Sequence, residues 1–206
     1  MSKSGLLKRL SLAMMRIFPA TFNGQVTALI LGGILITPLI PSMTAKAAIM
    51  APISQGISDA MGYARKSRGA AGLFAAMYLG FVVTGPIFLS GAVSGYMILG
   101  LLPVDIQARF SWTYWLAGGM VWSVTALAGM YLALLFLYTP KGKSTLAAGE
   151  IVAQLTALGP MSRHEKTTAT VLLAALLFWM TEPLHGVNAT LVALTGLVAL
   201  LGSGVL

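Results

Sequence analysis

Cysteine is absent from this sequence, so disulfides, iron–sulfur clusters and thiolate metal sites are excluded. Charge is scarce too: charged residues make up 9% of the 206 residues, against 57% hydrophobic. A soluble domain needs about a quarter of its residues charged to cover its surface. A larger core cannot absorb the shortfall, because a chain of this length still presents a great deal of surface to its solvent. That solvent is therefore mostly lipid, and the fold expected is an all-α integral membrane one. Acids are scarcer than bases, five against thirteen, giving a formal net charge of +8. The cations stand in short clusters between long apolar runs, the pattern of cytoplasmic loops in membrane proteins, so nucleic acid is not an expected partner. The two histidines, His164 and His185, lie far apart without ligand-like neighbours. With no catalytic constellation and no phosphate-binding loop, neither an enzyme nor an ATP-driven pump is predicted.

What is present is a series of interrupted apolar stretches. Residues 1–25, with Lys3, Lys8, Arg9 and Arg16 around a weakly apolar run, predict a basic interfacial helix ending near Pro19. Residues 26–62 follow, broken by Thr37-Pro-Leu-Ile-Pro-Ser42. Pro38 and Pro41 remove backbone donors and push their predecessors out of the helical region. Each half is then too short for a span of about 20 residues. Arg9 and Arg16 precede the stretch, and Arg65, Lys66 and Arg68 follow it. If both clusters stay on one side, the chain enters and leaves by the same face. A re-entrant helical hairpin with its tip at Pro41–Thr44 is the simplest geometry. A broken backbone at that depth must be buried in protein or line a wet cavity.

Residues 69–138 predict one broken and one intact transmembrane helix. The break falls at Thr84-Gly-Pro86 and Ser90-Gly-Ala-Val-Ser-Gly95, although Gly91 and Gly95 also fit a small-xxx-small helix contact. Pro103–Phe110 predicts an external polar loop, and Trp112, Tyr114 and Trp115 an interfacial aromatic belt. Residues 139–165 read as a cytoplasmic linker with an amphipathic helix, capped by Ser144 and carrying Ile151, Leu155 and Leu158 on one face. Ser162-Arg-His-Glu165 has capping-box spacing and opens the segment 166–206. Within that segment Glu182 and His185 fit an interfacial turn more cheaply than a proton relay.

Two interrupted apolar segments close together point to a secondary-transporter site. A half-helix ending at mid-membrane aims its amides, with about half a positive charge, at whatever lies there. Ser42 and Thr44 stand at that helix start and Lys46 a half-turn on, which predicts an anion site. The plainer readings are helix capping for Ser42 and Thr44, and a snorkelling or structurally paired lysine for Lys46. A cation at such depth calls for a functional explanation.

Pro41-Ser-Met-Thr-Ala-Lys-Ala-Ala-Ile-Met-Ala-Pro52 resembles the first Ser-Asn-Thr signature of the divalent anion:sodium symporter family. The similarity is to the branch of bacterial citrate/succinate and plastid 2-oxoglutarate/malate carriers. Phe88–Gly95 is similar to that family's unwound fifth helix, Leu158–Glu165 to the loop between its inverted repeats, and Trp179–Leu201 to the opening of the second repeat. The signature's central Asn is Met43 here, a thioether in place of an amide, and the unwound segment carries Ser94-Gly95 where an Asn is common. The resemblance implies part of an inverted-repeat secondary transporter, in which Ser42, Thr44 and Lys46 meet substrate. Where sodium coupling is retained, it implies that Ser42, Ser90, Gly91, Ser94 and Gly95 hold the ion, with no other cofactor. It implies a partial or split carrier of di- or tricarboxylates or sulfate-like anions, multi-pass in the inner (plasma) membrane. The chain would work in lipid with a second half-carrier or as a homodimer. The rival expectations are a non-transporting subunit or an inactive remnant, and, below both, a channel-like pore, for which no charged ring is evident.

Overall fold

A computed structural model of the chain describes residues 6–107, 109–140 and 148–205. Every regular element among the described residues is helical. Six helices open on a side-chain cap, from Thr21, Ser42, Ser67, Ser111, Ser162 and Asn188, each accepting an amide of the first turn. In a chain with so few polar residues these positions are not incidental, because water cannot satisfy a free amide inside lipid.

Helix α1 (Leu6–Ile17) is the expected basic N-terminal helix. It seats Leu12, 1% exposed, in a core with Val26, Leu29, Met50, Ile57 and Leu73. Helix α2 (Phe22–Ile36) ends in a 3-10 turn, Thr37–Leu39, and α3 (Met43–Ala60) begins after the extended Ile40. The Phe22 and Tyr63 rings meet edge to face at 6.4 Å, so the chain doubles back and brings both ends of this pair together. With its 3-10 turn, α2 forms an 18-residue apolar stretch, Phe22–Leu39, which is longer than the half-span expected from sequence.

Helix α4 (Arg68–Thr84) runs parallel to α2, with Ile30 beside Gly80, Gly33 beside Phe81, and Thr37 against Thr84. It breaks into two 3-10 turns, Gly85–Ile87 and Leu89–Gly91, and resumes as α5 (Val93–Gly100). The expected external loop contains one turn of helix, α6 (Val104–Gln107). Helix α7 (Trp112–Tyr138) returns beside α4, its Tyr131 hydroxyl 3.0 Å from that of Thr27.

Of the linker features, Ser144 lies outside the described residues, as does the side chain of Ile151. Helix α8 (Ala148–Ala157) packs Leu155, with Leu158 just beyond it, against the first core. The capping box opens α9 (Arg163–Met180) with both reciprocal bonds formed. A short α10 (Glu182–His185) turns the chain into α11 (Ala189–Gly202), which runs back along α9 with Gly196 beside Val171.

Three helical stretches are long and apolar enough to cross a bilayer: Phe22–Leu39, Arg68–Ile87 and Trp112–Tyr138. The protein is a multi-pass, all-α membrane protein. The described residues cover 61% of the first stretch and only 11% of the third, so α2 is largely enclosed while α7 is left exposed along most of its length. The exposed cations Arg65, Lys66 and Arg68 follow α3, and Arg163 and Lys166 start α9. They share the end where α2 begins. Arg109 lies at the far end.

Candidate functional site

The two helix breaks face each other and are sewn together by side chains. Each follows the same local grammar, Gly33-Ile-Leu-Ile-Thr37 before Pro38 and Gly80-Phe-Val-Val-Thr84 before Gly85-Pro86. Each threonine hydroxyl bonds the carbonyl four residues back, Thr37 to Gly33 at 2.7 Å and Thr84 to Gly80 at 2.5 Å. The two hydroxyls also lie 2.8 Å apart and fully buried, which pins the breaks at one level. Neither threonine was singled out from sequence. The signal was there in the repeated Gly-x-x-x-Thr spacing ahead of a proline.

The carbonyls freed at the breaks find donors elsewhere. Ser90 Oγ donates to the Pro38 carbonyl at 2.8 Å and accepts from Trp112 Nε1 at 3.0 Å. Trp115 Nε1 donates to the Pro86 carbonyl at 2.9 Å. Lys46 Nζ donates to the Gly91 carbonyl at 3.1 Å. In lipid each of these groups would be expensive unpaired. Trp112 and Trp115, expected in an aromatic belt, therefore turn inward on one helix face. Trp112 is 3% exposed, while Tyr114 points outward as a belt residue would. An indole N–H buried in apolar surroundings needs an acceptor, and the broken helix supplies two.

Lys46 is 1% exposed, the largest fully buried side chain among the described residues. Besides the Gly91 carbonyl, its ammonium lies 5.9 Å from the Phe81 ring centroid. No salt bridge to it forms among the described residues. It is one turn inside α3, which Ser42 caps by accepting the Ala45 amide at 3.2 Å. The first intrahelical bond runs from the Lys46 amide to the Ser42 carbonyl, leaving the Met43 and Thr44 amides without a partner inside the helix. Ser42 and Thr44 are exposed beside these free amides.

Of the residues singled out from sequence, Lys46, Ser90 and Gly91 come together in one buried cluster. Gly95 is buried a turn further on, packed against the Leu89 carbonyl. Ser94 is exposed on the first turn of α5, and the Ser42 side chain remains outside the cluster. Gly91 does not serve a helix–helix stripe. A methyl group there would stand 2.5 Å from the Gly85 carbonyl oxygen and 2.8 Å from Thr37 Cγ2, so only glycine lets the breaks approach.

Beyond the cluster, Glu182 accepts the Trp112 amide at 2.8 Å, placing a carboxylate on the N-terminus of α7. At the basic end, Arg9 Nε meets Glu165 Oε1 at 3.0 Å, and its Nη2 donates to the carbonyls of Leu158 and Pro160. Arg9 thereby ties α1 to the loop opening α9. The hydrogen bond from Arg9 holds the Glu165 carboxyl below its ordinary value, against the opposing push of burial.

The chain is 29% identical over 204 residues to a membrane protein of Cupriavidus necator, covering 98% of this chain and 40% of that one. It is 29% identical over 210 residues to a putative malate transporter, YflS, of Bacillus subtilis, covering 99% and 44%. It is 27% identical over 209 residues to the chloroplastic dicarboxylate transporter 1 of Arabidopsis thaliana, covering 98% and 38%. The chain thus spans about two-fifths of the length of the curated relatives it matches. The family described as the sodium:sulfate symporter transmembrane region matches residues 1–206, and the chain belongs to that family of membrane transporters.

Proposed function

We propose that this chain is the hairpin-bearing part of a secondary carrier for divalent anions, di- or tricarboxylates or sulfate, in the inner (plasma) membrane. The observation that carries the reading is the start of α3, with free amides at Met43 and Thr44, exposed hydroxyls at Ser42 and Thr44, and the buried Lys46 ammonium behind them. Together they supply preorganised donors and positive charge where the chain turns back. A dianion stripped of water would find there what it lost. The hairpin is re-entrant in this reading, its tip within the bilayer and its ends on the cytoplasmic side with the basic clusters. Names of relatives favour carboxylates, and the family name adds sulfate. A second half-carrier or a second copy of the chain would complete the site at the repeat interface.

Coupling has two readings. By resemblance, sodium lies among Ser42, Ser90, Gly91, Ser94 and Gly95. Against it, the Gly91 carbonyl already receives Lys46 Nζ and the Ser90 hydroxyl is engaged on both sides. A tethered ammonium then takes the place of the mobile cation, and transport becomes sodium-independent exchange. Uptake of labelled succinate, citrate and sulfate into proteoliposomes, with and without a sodium gradient, tests both. Equal uptake in choline and sodium buffers supports the tethered cation, and a strict sodium requirement removes it. Absence of uptake, with or without a separately supplied second half, leaves a non-transporting subunit or remnant.

A further inference from the structure

Tyr96, in the first turns of α5, is the shared wall of two clefts. One, of about 310 Å³, lies against the hairpin break and is bounded by Leu39, Pro41, Ser90, Leu172 and Trp179. The other, of about 490 Å³, opens at the far end beside Gln107, Ser111, Glu182, Asn188 and Thr190. Among the described residues, Tyr96 alone lines both. The first cleft is apolar apart from Ser90 and the tyrosine. The second carries amide and hydroxyl groups suited to a hydrated solute, and its one carboxylate, Glu182, is engaged by the Trp112 amide.

The tyrosine packs on the cluster formed by Leu89, Trp112, Ala175, Trp179, Ala189 and Val192. Its hydroxyl oxygen is enclosed and has no hydrogen-bond partner among the described residues. Enclosing a hydroxyl unpaired is unfavourable, because it loses its bonds to water and gains none in return. Phenylalanine would fill the same space without that penalty, so packing alone gives no reason for the oxygen. Rotation of the ring about its side-chain bonds would move the phenol out of the wall that separates the two clefts.

We propose that Tyr96 is the gate between the far-end cleft and the cleft at the hairpin break, and that its hydroxyl donates to a carboxylate oxygen of the anion that passes. The second half rests on the anion-carrier reading, and the first does not. With the hydroxyl unpaired the closed ring is penalised, and an anion that pairs it is rewarded for opening the gate. The device opens to solutes with a strong acceptor and stays shut to those without.

The 206 residues contain no cysteine, so Leu39→Cys in this chain gives a single thiol in the inner cleft. Its modification by the membrane-impermeant, anionic sulfonatoethyl methanethiosulfonate, applied to the face bearing Glu182, reads the gate directly. Tyr96→Ala is expected to raise the labelling rate about tenfold or more, and an unchanged rate overturns the gate. Tyr96→Phe keeps the ring and serves as the folding-neutral variant. Without substrate it should label no faster than the parent, and succinate should accelerate labelling of the parent but not of Tyr96→Phe. Equal acceleration in both overturns the role of the hydroxyl. No succinate effect in the parent, with Tyr96→Ala still opening the path, counts against succinate as the carried anion and upholds the gate.

Discussion

Lys46 carries the sharpest consequence at the scale of single residues. A buried ammonium with one carbonyl partner and an aromatic face is poorly compensated, but it is the donor to the Gly91 carbonyl, and removing it leaves that buried oxygen unpaired. Lys46→Met is therefore expected to unfold in detergent at a lower temperature than the parent. Lys46→Gln should weaken succinate or citrate binding at least tenfold, since a charge-assisted bond contributes about 1.5–3 kcal/mol. Unchanged affinity in a calorimetric titration would reduce Lys46 to a structural tie on Gly91. Glu165 makes a different argument. Its carboxyl is held below the ordinary value by Arg9, so the folded state binds its proton less tightly than the unfolded chain. The stabilisation is fully present above the unfolded value of about 4.3 and is lost as pH falls through the lower folded one. Thermal melts from pH 7 downward should show this loss in the parent. Glu165→Gln is expected to be less stable at neutral pH by about 1–3 kcal/mol and to lack that part of the acid dependence.

At the scale of elements, the breaks in α2–α3 and α4–α5 are the distinctive structure, and glycine makes their contact. Gly91→Ala would drive a methyl group into a backbone oxygen and a threonine methyl, neither of which can yield cheaply. It should destabilise the chain by about 1–3 kcal/mol. Gly118→Ala, in the exposed part of α7 with nothing within 4 Å, should be neutral or stabilising by up to about 1 kcal/mol. Similar melting temperatures for the two variants would mean that the breaks are not packed as described. The breaks themselves were legible in the sequence, because proline acts locally and Pro38, Pro41 and Pro86 each leave an unmistakable gap in the helical pattern. What fills the gaps was not. The Thr37–Thr84 contact joins residues 47 apart and the Ser90–Pro38 bond residues 52 apart, and hydropathy patterns say nothing of such pairings. Trp112 and Trp115 were read from composition as membrane-surface anchors. Their neighbour Tyr114 fits that role, but the indole N–H groups went to the Ser90 hydroxyl and the Pro86 carbonyl at the break. Lys46, Ser90 and Gly91 were picked out one by one for their chemistry. That they form one cluster needed the two breaks at a common depth, a long-range fact.

At the scale of the whole molecule, the arrangement turns on which ends share a face of the membrane. The Phe22–Tyr63 contact brings the start of α2 to the end of α3, and the Arg9–Glu165 pair brings α1 to the start of α9. Opposite them, Glu182 reaches the first amide of α7. If the basic end faces the cytoplasm, moving its five exposed cations through lipid would be prohibitive, and the orientation is fixed by them. Single cysteines at Asn23 and Arg65, both exposed in a chain that has none of its own, should then react with an impermeant maleimide from the same side. A cysteine at Asp105 should react from the other. Labelling of Asn23 and Arg65 from opposite sides would make the first pair of helices a crossing rather than a return. The Lys46 ammonium and the free amides of α3 would then no longer stand at a dead end inside the bilayer. An anion held there would have no enclosed place to be stripped of its water.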